Sequence, residues 1–86
     1  MKTVPLGQLV ITPGAMKLSP ADVAIGMARH TRADWGDVCD EDKKSNDWSL
    51  ENGERLVSAY TSNGTKYWVI TERDRSVTTI LLPEEY

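Results

Sequence analysis

Hydrophobic alternation is strongest in the last third of the chain. Residues 56–61, 66–72 and 76–82 are rich in Val, Ile, Thr, Tyr and Trp, which suit a pleated, half-buried surface. Between the first two runs, Asn63-Gly64 supplies the two positive-φ positions of a type I′ turn, so a tight hairpin is predicted. That turn pairs Tyr60 with Tyr67, Ala59 with Trp68 and Val57 with Ile70. Val57, Ala59, Trp68 and Ile70 then share the face expected to lie under helices. Leu56, Ser58, Tyr60, Tyr67, Val69 and Thr71 share the other. Both faces carry apolar or aromatic groups, so the second needs a cover: residues 6–11, another subunit or a partner. The turn around Arg73-Asp74-Arg75 leaves the third strand's register open, because a one-residue slip exchanges Val77/Thr79/Leu81 for Thr78/Ile80/Leu82.

Helical spacing dominates earlier. Residues 6–11 form a short β-favourable run, and Thr12-Pro13-Gly14 then starts a turn. Ser19-Pro20-Ala21-Asp22 reads as a helix start, with a capping hydroxyl, proline at the first position and an acid at the third. Val23, Ala24, Met27, Ala28 and Thr31 follow on one predicted face, in a helix running to about His30. Asp34-Trp35-Gly36-Asp37 breaks the pattern, with Trp35 folding back as a lid on the core. Asp40 is expected to cap a second, surface helix over residues 41–51, ended by Asn52-Gly53. Its narrow buried stripe would rest mainly on Trp48 and Leu50. The whole predicts one α+β domain over residues 1–86: a short N-terminal segment, two to three helices, then a three-stranded antiparallel meander. The expected core is Val23, Met27, Trp35, Val57, Ala59, Trp68, Ile70 and Ile80.

Composition bounds what such a domain can do. The chain has 86 residues, 27% of them charged and 40% hydrophobic, which suits a soluble domain with a thin core. One Cys and one His exclude an internal disulfide framework and a structural zinc cage. No apolar run is long enough to cross a membrane, and the N-terminus lacks signal-peptide character, so a cytoplasmic setting is expected. The net charge of −3 conceals an asymmetry. Residues 34–54 hold eight acids against Lys43 and Lys44, a balance of −6, and the remainder carries +3. An acidic stretch repels nucleic acid and could attract a basic protein surface, although acids at a helix start and a solvated face are the simpler explanation.

Catalytic patterns are sparse. His30 is the one neutral-pH base, expected at the surface near a helix end. Cys39 is expected to be a small buried hydrophobe. Asp34, Asp37, Asp40, Glu41 and Asp42 lack the alternating spacing, central glycine and terminal glutamate of an EF-hand loop, so no metal is expected. No phosphate loop, dinucleotide fingerprint or nucleophile elbow is present, and no cofactor is expected. Arg73, Arg75 and Lys66, with Tyr60 and Tyr67 as a stacking pair, outline a nucleic-acid surface. Glu72 and Asp74 cancel most of that field, and a pI near 5.0 has the wrong sign. The turn reads better as a self-satisfied ionic loop.

Several stretches carry a family resemblance: Thr12-Pro13-Gly14-Ala15, Ala28-Arg29-His30, Asp34-Trp35-Gly36-Asp37, Glu41-Asp42, Arg55-Leu56-Val57-Ser58-Ala59-Tyr60 and the tail WVITERDRSVTTILLPEEY from Trp68 to Tyr86. On these the chain resembles a family of small bacterial proteins found near plasmid, phage or restriction-system genes. It is shorter than they are between Ala15 and Ser19, where relatives have a longer first helix. Some members carry the labels "plasmid-related protein" or "type I restriction endonuclease subunit M". The second cannot describe a catalytic methyltransferase subunit here, because the chain lacks the room, the cofactor loop and the catalytic tetrapeptide. The resemblance implies a mobile-element context and supplies no catalytic residues.

The expected function is therefore a non-enzymatic protein-interaction module, an accessory of a mobile element or of a defence or anti-defence system. Its expected partner-binding residues are Asp34, Asp37, Asp40, Glu41, Asp42, Tyr60, Tyr67, Arg73 and Arg75. The partner would be a protein with a basic surface, with nucleic acid disfavoured and no membrane. Homodimerisation through the second face of the sheet is a further expectation. The alternatives are a small enzyme or metal site using His30, Cys39 and nearby carboxylates, and a DNA-binding protein using the Arg73–Arg75 turn.

Overall fold

A computed structural model describes residues 3–86. The fold is α+β, with strands β1 (Gln8–Ile11), β2 (Leu56–Ser62), β3 (Thr65–Thr71) and β4 (Val77–Leu81) and helices α1 (Pro20–Thr31) and α2 (Asp40–Asn52). Short 3-10 turns occupy Ala15–Lys17 and Pro83–Glu85. Among the described residues no helix is long and apolar enough to cross a membrane.

The hairpin forms at Asn63-Gly64 in the expected register, with Val57 opposite Ile70, Ala59 opposite Trp68 and Tyr60 opposite Tyr67. β4 joins antiparallel to β3 and places Ile80 opposite Val69 and Thr78 opposite Thr71, which settles the register left open by the turn. The sheet is not a three-stranded meander. Residues 8–11 do not cover a face but add a fourth strand, parallel to β4, giving the order β1-β4-β3-β2.

α1 covers the face opposite to the one expected, although Ala59 and Ile70 of the expected face are buried as well. It lies over Ser58, Tyr60, Tyr67, Val69 and Thr71, while Trp35 and Leu50 pack on Leu56 of the same face; all six sheet residues are 2% exposed or less. Neither a subunit nor a partner is needed to cover that face. The helix presents Gly26 and His30 inward rather than Ala24, Ala28 and Thr31, with Val23 and Met27 beside them. Gly26 permits the approach, since a Cβ there would collide with the Tyr67 hydroxyl. Tyr67 in turn donates to the Asp22 carbonyl at 2.8 Å, and Tyr60 to the Asp34 carbonyl, so both phenols are satisfied while their rings fill the core.

Val4, Trp35 and Leu56 form a second cluster with Leu50 of α2, and Trp35 takes the expected place as a lid. Its indole donates to the Asp47 carboxylate at 2.9 Å. α2 begins one residue earlier than expected, with Cys39 rather than Asp40 in the cap position, and ends at Gly53 in the left-handed conformation. Its inward residues are Asn46 and Ser49, beside Leu50, while Trp48 is exposed.

Candidate functional site

The face of the sheet that was expected to be the main core is only partly roofed. α2 stands over the β2 edge, and the C-terminal 3-10 turn returns along the opposite side. Between them lies a half-open groove of about 390 Å3. Val57, Trp68 and Ile70 form its floor, Asp42, Ser45 and Asn46 its helical wall, and Arg55 and Tyr86 its far wall.

The far wall is built from three contacts. Tyr86 meets Trp68 edge to face at 5.7 Å between ring centroids. The Arg55 guanidinium lies 5.0 Å from the Tyr86 ring centre and donates to its hydroxyl at 2.6 Å. Arg55 also approaches Glu72 at 3.9 Å. The tail holding Tyr86 is itself anchored: the Glu85 carboxylate accepts from the Thr12 hydroxyl and from the Gly14 and Leu82 amides. These donors hold the Glu85 carboxyl below its usual range, the Thr12 hydroxyl foremost. The groove therefore joins an apolar floor to one cation, one carboxylate and two aromatic rings.

The residues singled out from the sequence do not converge on one site. Asp42 lines the groove, and Asp40 and Glu41 precede it in the exposed first turn of α2. Asp34 lies elsewhere, at the end of α1, in a two-pronged pair with Arg29 at 2.8 and 3.2 Å that holds its carboxyl below the usual range. Asp37 accepts from the Thr61 hydroxyl at 3.3 Å. Tyr60 and Tyr67 are not a surface stacking pair: they are 2% and 1% exposed under α1, and burial pushes the Tyr60 hydroxyl up to about 12.

The arginine turn faces inward in part. Arg75, at φ 61°, donates to the Ser49 carbonyl at 3.0 Å and to the Glu54 and Glu72 carbonyls. It thereby caps the negative end of α2. Arg73 stays exposed and pairs with Glu54 at 3.2 Å. The turn is satisfied as expected, but largely by the end of α2 rather than by its own acids.

His30 and Cys39 are also placed otherwise than expected. Cys39 is exposed ahead of α2. His30 is wholly buried, with Nδ1 2.6 Å from the Ser58 hydroxyl and Nε2 2.8 Å from that of Thr71. Thr71 in turn meets the Thr78 hydroxyl at 2.8 Å, and Thr78 donates to the Leu6 carbonyl at 2.7 Å. Since each hydroxyl has one proton, Thr78 spends its own on Leu6 and accepts from Thr71. Thr71 must then accept from Nε2–H, and Ser58 donates to an unprotonated Nδ1. The imidazole is neutral, and burial, assisted by the Arg75 charge, pushes it down to about 4. With no solvent contact and both nitrogens engaged, His30 is a structural group. Among the described residues no three His, Cys, Asp or Glu side chains converge to hold a metal ion.

Val38, Ser45, Asn46, Arg55 and Tyr86 are the groove residues that the sequence patterns did not single out. Only the return of the tail across the sheet brings Tyr86 to Arg55, 31 positions away, and no local spacing encodes that return. No protein-family model, curated protein or solved structure matches the chain.

Proposed function

We propose that the chain is a non-enzymatic protein-interaction module whose groove between α2 and Tyr86 takes a polypeptide segment bearing a basic residue. The observation that carries this reading is the groove's composition. An apolar, aromatic floor of Val57, Trp68 and Ile70 suits an aliphatic or aromatic anchor, and the Asp42 rim continues into the acidic first turn of α2. Arg55, stacked on Tyr86, offers donors to the segment's carbonyls. The resemblance to proteins of plasmid, phage and restriction-system loci supports an accessory role in a mobile element or in a defence or anti-defence system.

Selection of a random displayed peptide library on the immobilised chain tests this reading. Enriched peptides should combine a basic residue with an apolar anchor. Their affinity should fall at least about tenfold for Ser45→Arg, which fills the groove, and for Asp42→Lys, which reverses its rim. Both positions are exposed, so the fold should survive either change. Failure to enrich any peptide, or enriched peptides that bind both variants unchanged, would overturn the assignment.

A further inference from the structure

The two edges of the sheet are treated differently. Along β2 the outward backbone groups of Val57 and Ala59 are occupied: the Asn46 side chain bonds both the amide and the carbonyl of Val57, and residues 35–37 bond both those of Ala59. Along β1 nothing comparable is found among the described residues. Gln8 and Thr12 donate to β4, at the carbonyls of Ser76 and Ile80, which fixes the ladder's alternation. The N–H and C=O groups of Leu9 and Ile11 therefore point away from the sheet.

The same strand is apolar on both sides. Leu9 is 54% exposed, Val10 41% and Ile11 39%, and Met16 beside them is 67% exposed. Leu9 and Ile11 share the α1 face of the sheet, where they and Met16 line a groove of about 390 Å3 against the helix. Edge strands in soluble proteins are normally blunted by shortness, a charge, a proline or a bulge; Gln8–Ile11 is short, at four residues, but carries no charge, proline or bulge.

We propose that β1 pairs antiparallel with β1 of a second copy about a two-fold axis through Val10, making one continuous eight-stranded sheet. The outward groups demand an extended strand as occupant, and three features favour a second copy. Centred on Val10, the strand is its own complement: Leu9 of each copy exchanges two hydrogen bonds with Ile11 of the other, and the two Val10 side chains meet at the axis. The strand bears no charge, so self-pairing brings no like charges together, while the acidic α2 of each copy lies by the far edge, at β2. The two apolar grooves also meet across the axis, where Leu9 and Ile11 of each copy close the open side of the other's.

Two four-residue strands and their flanking side chains make a small contact beside the roughly 1,200–2,000 Å2 of standard interfaces, so micromolar association is expected. Sedimentation of the full chain up to about 1 mM should show the mass doubling with concentration. Val10→Lys sets two ammonium groups opposite each other at the axis and should return the mass to that of a monomer, with circular dichroism unchanged. Independently, Val10→Cys with Cys39→Ser should oxidise to a covalent dimer, because opposed non-hydrogen-bonded positions lie within disulfide reach. A wild-type chain that stays monomeric throughout leaves this edge to a strand of another protein and overturns the proposal. So does a dimer that survives Val10→Lys and fails to cross-link.

Discussion

His30 shows how a single polar residue can be held in the interior of so small a domain. Its imidazole touches no water, yet both nitrogens are bonded, and the chain of hydroxyls from Thr71 through Thr78 ends on the Leu6 carbonyl. This arrangement favours the neutral ring. A proton on Nδ1 would turn the Ser58 hydroxyl from donor to acceptor, leave its O–H to find another partner, and place a charge at a fully buried position. Folding thus lowers the His30 pKa from the ordinary 6.5 to about 4. Between these values the unfolded chain binds a proton that the folded chain refuses, so stability should fall as pH drops from 6.5 towards 4. The full difference amounts to about 3 kcal/mol, of which about 2 kcal/mol should be gone by about pH 5. Urea unfolding between about pH 7.5 and pH 5 measures it. Because the chain has one histidine, His30→Gln should flatten that slope whatever it does to absolute stability. An equally steep slope in the variant would mean that the carboxylates, not this ring, govern the acid limb.

Among the elements, strand pairing was legible and the choice of buried face was not. Asn63-Gly64 dictates its turn, and the pairing of β2 with β3 follows residue by residue. Which face the helix covers depends on quantities that hydrophobicity does not encode. Ser58, Thr71 and Thr78 look like solvent-facing residues until His30 is seen to use them, and Gly26 looks neutral until it lets the helix settle onto two tyrosines. β1 escaped recognition as a strand of this sheet because its partner, β4, lies at the other end of the chain and no turn links them. The candidate site fared similarly: Asp42 was legible as part of an acidic run, whereas Arg55 and Tyr86 become neighbours only through the tail. Asn46 is the most economical of these unseen devices, since one side-chain amide substitutes for a neighbouring strand at Val57, with bonds of 2.8 and 3.2 Å. Asn46→Leu keeps the branched outline of the side chain, with somewhat more bulk, and deletes both bonds. It should cost about 1–3 kcal/mol, with water satisfying part of the exposed edge. Denaturant unfolding measures the cost, and faster amide exchange at Val57 would locate it. An unchanged exchange rate would show that the strand edge does not depend on this amide.

At the scale of the molecule, the two ends of the chain close the structure on one another. β1 is held to the sheet on one side only, by β4, and its C-terminal continuation is gripped by Glu85 through Thr12 and Gly14. The same 3-10 turn carries Tyr86 over Trp68, so the tail both secures the fourth strand and walls the groove. This coupling predicts two linked losses when the chain is ended after Leu82. The thermal midpoint should fall by roughly 5–15 °C, as expected for the loss of ~1–3 kcal/mol from a domain of this size. Tryptophan emission should shift to the red, because Trp68 loses its aromatic cover while Trp35 stays in its cluster and Trp48 is already exposed. Amide exchange separates the two consequences: Gly14 and the β1 amides directed at β4 should lose protection, whereas the β2–β3 hairpin keeps it. If β1 kept its protection, the strand would owe its place to β4 alone, and Glu85 would serve only to hold Tyr86 at the groove.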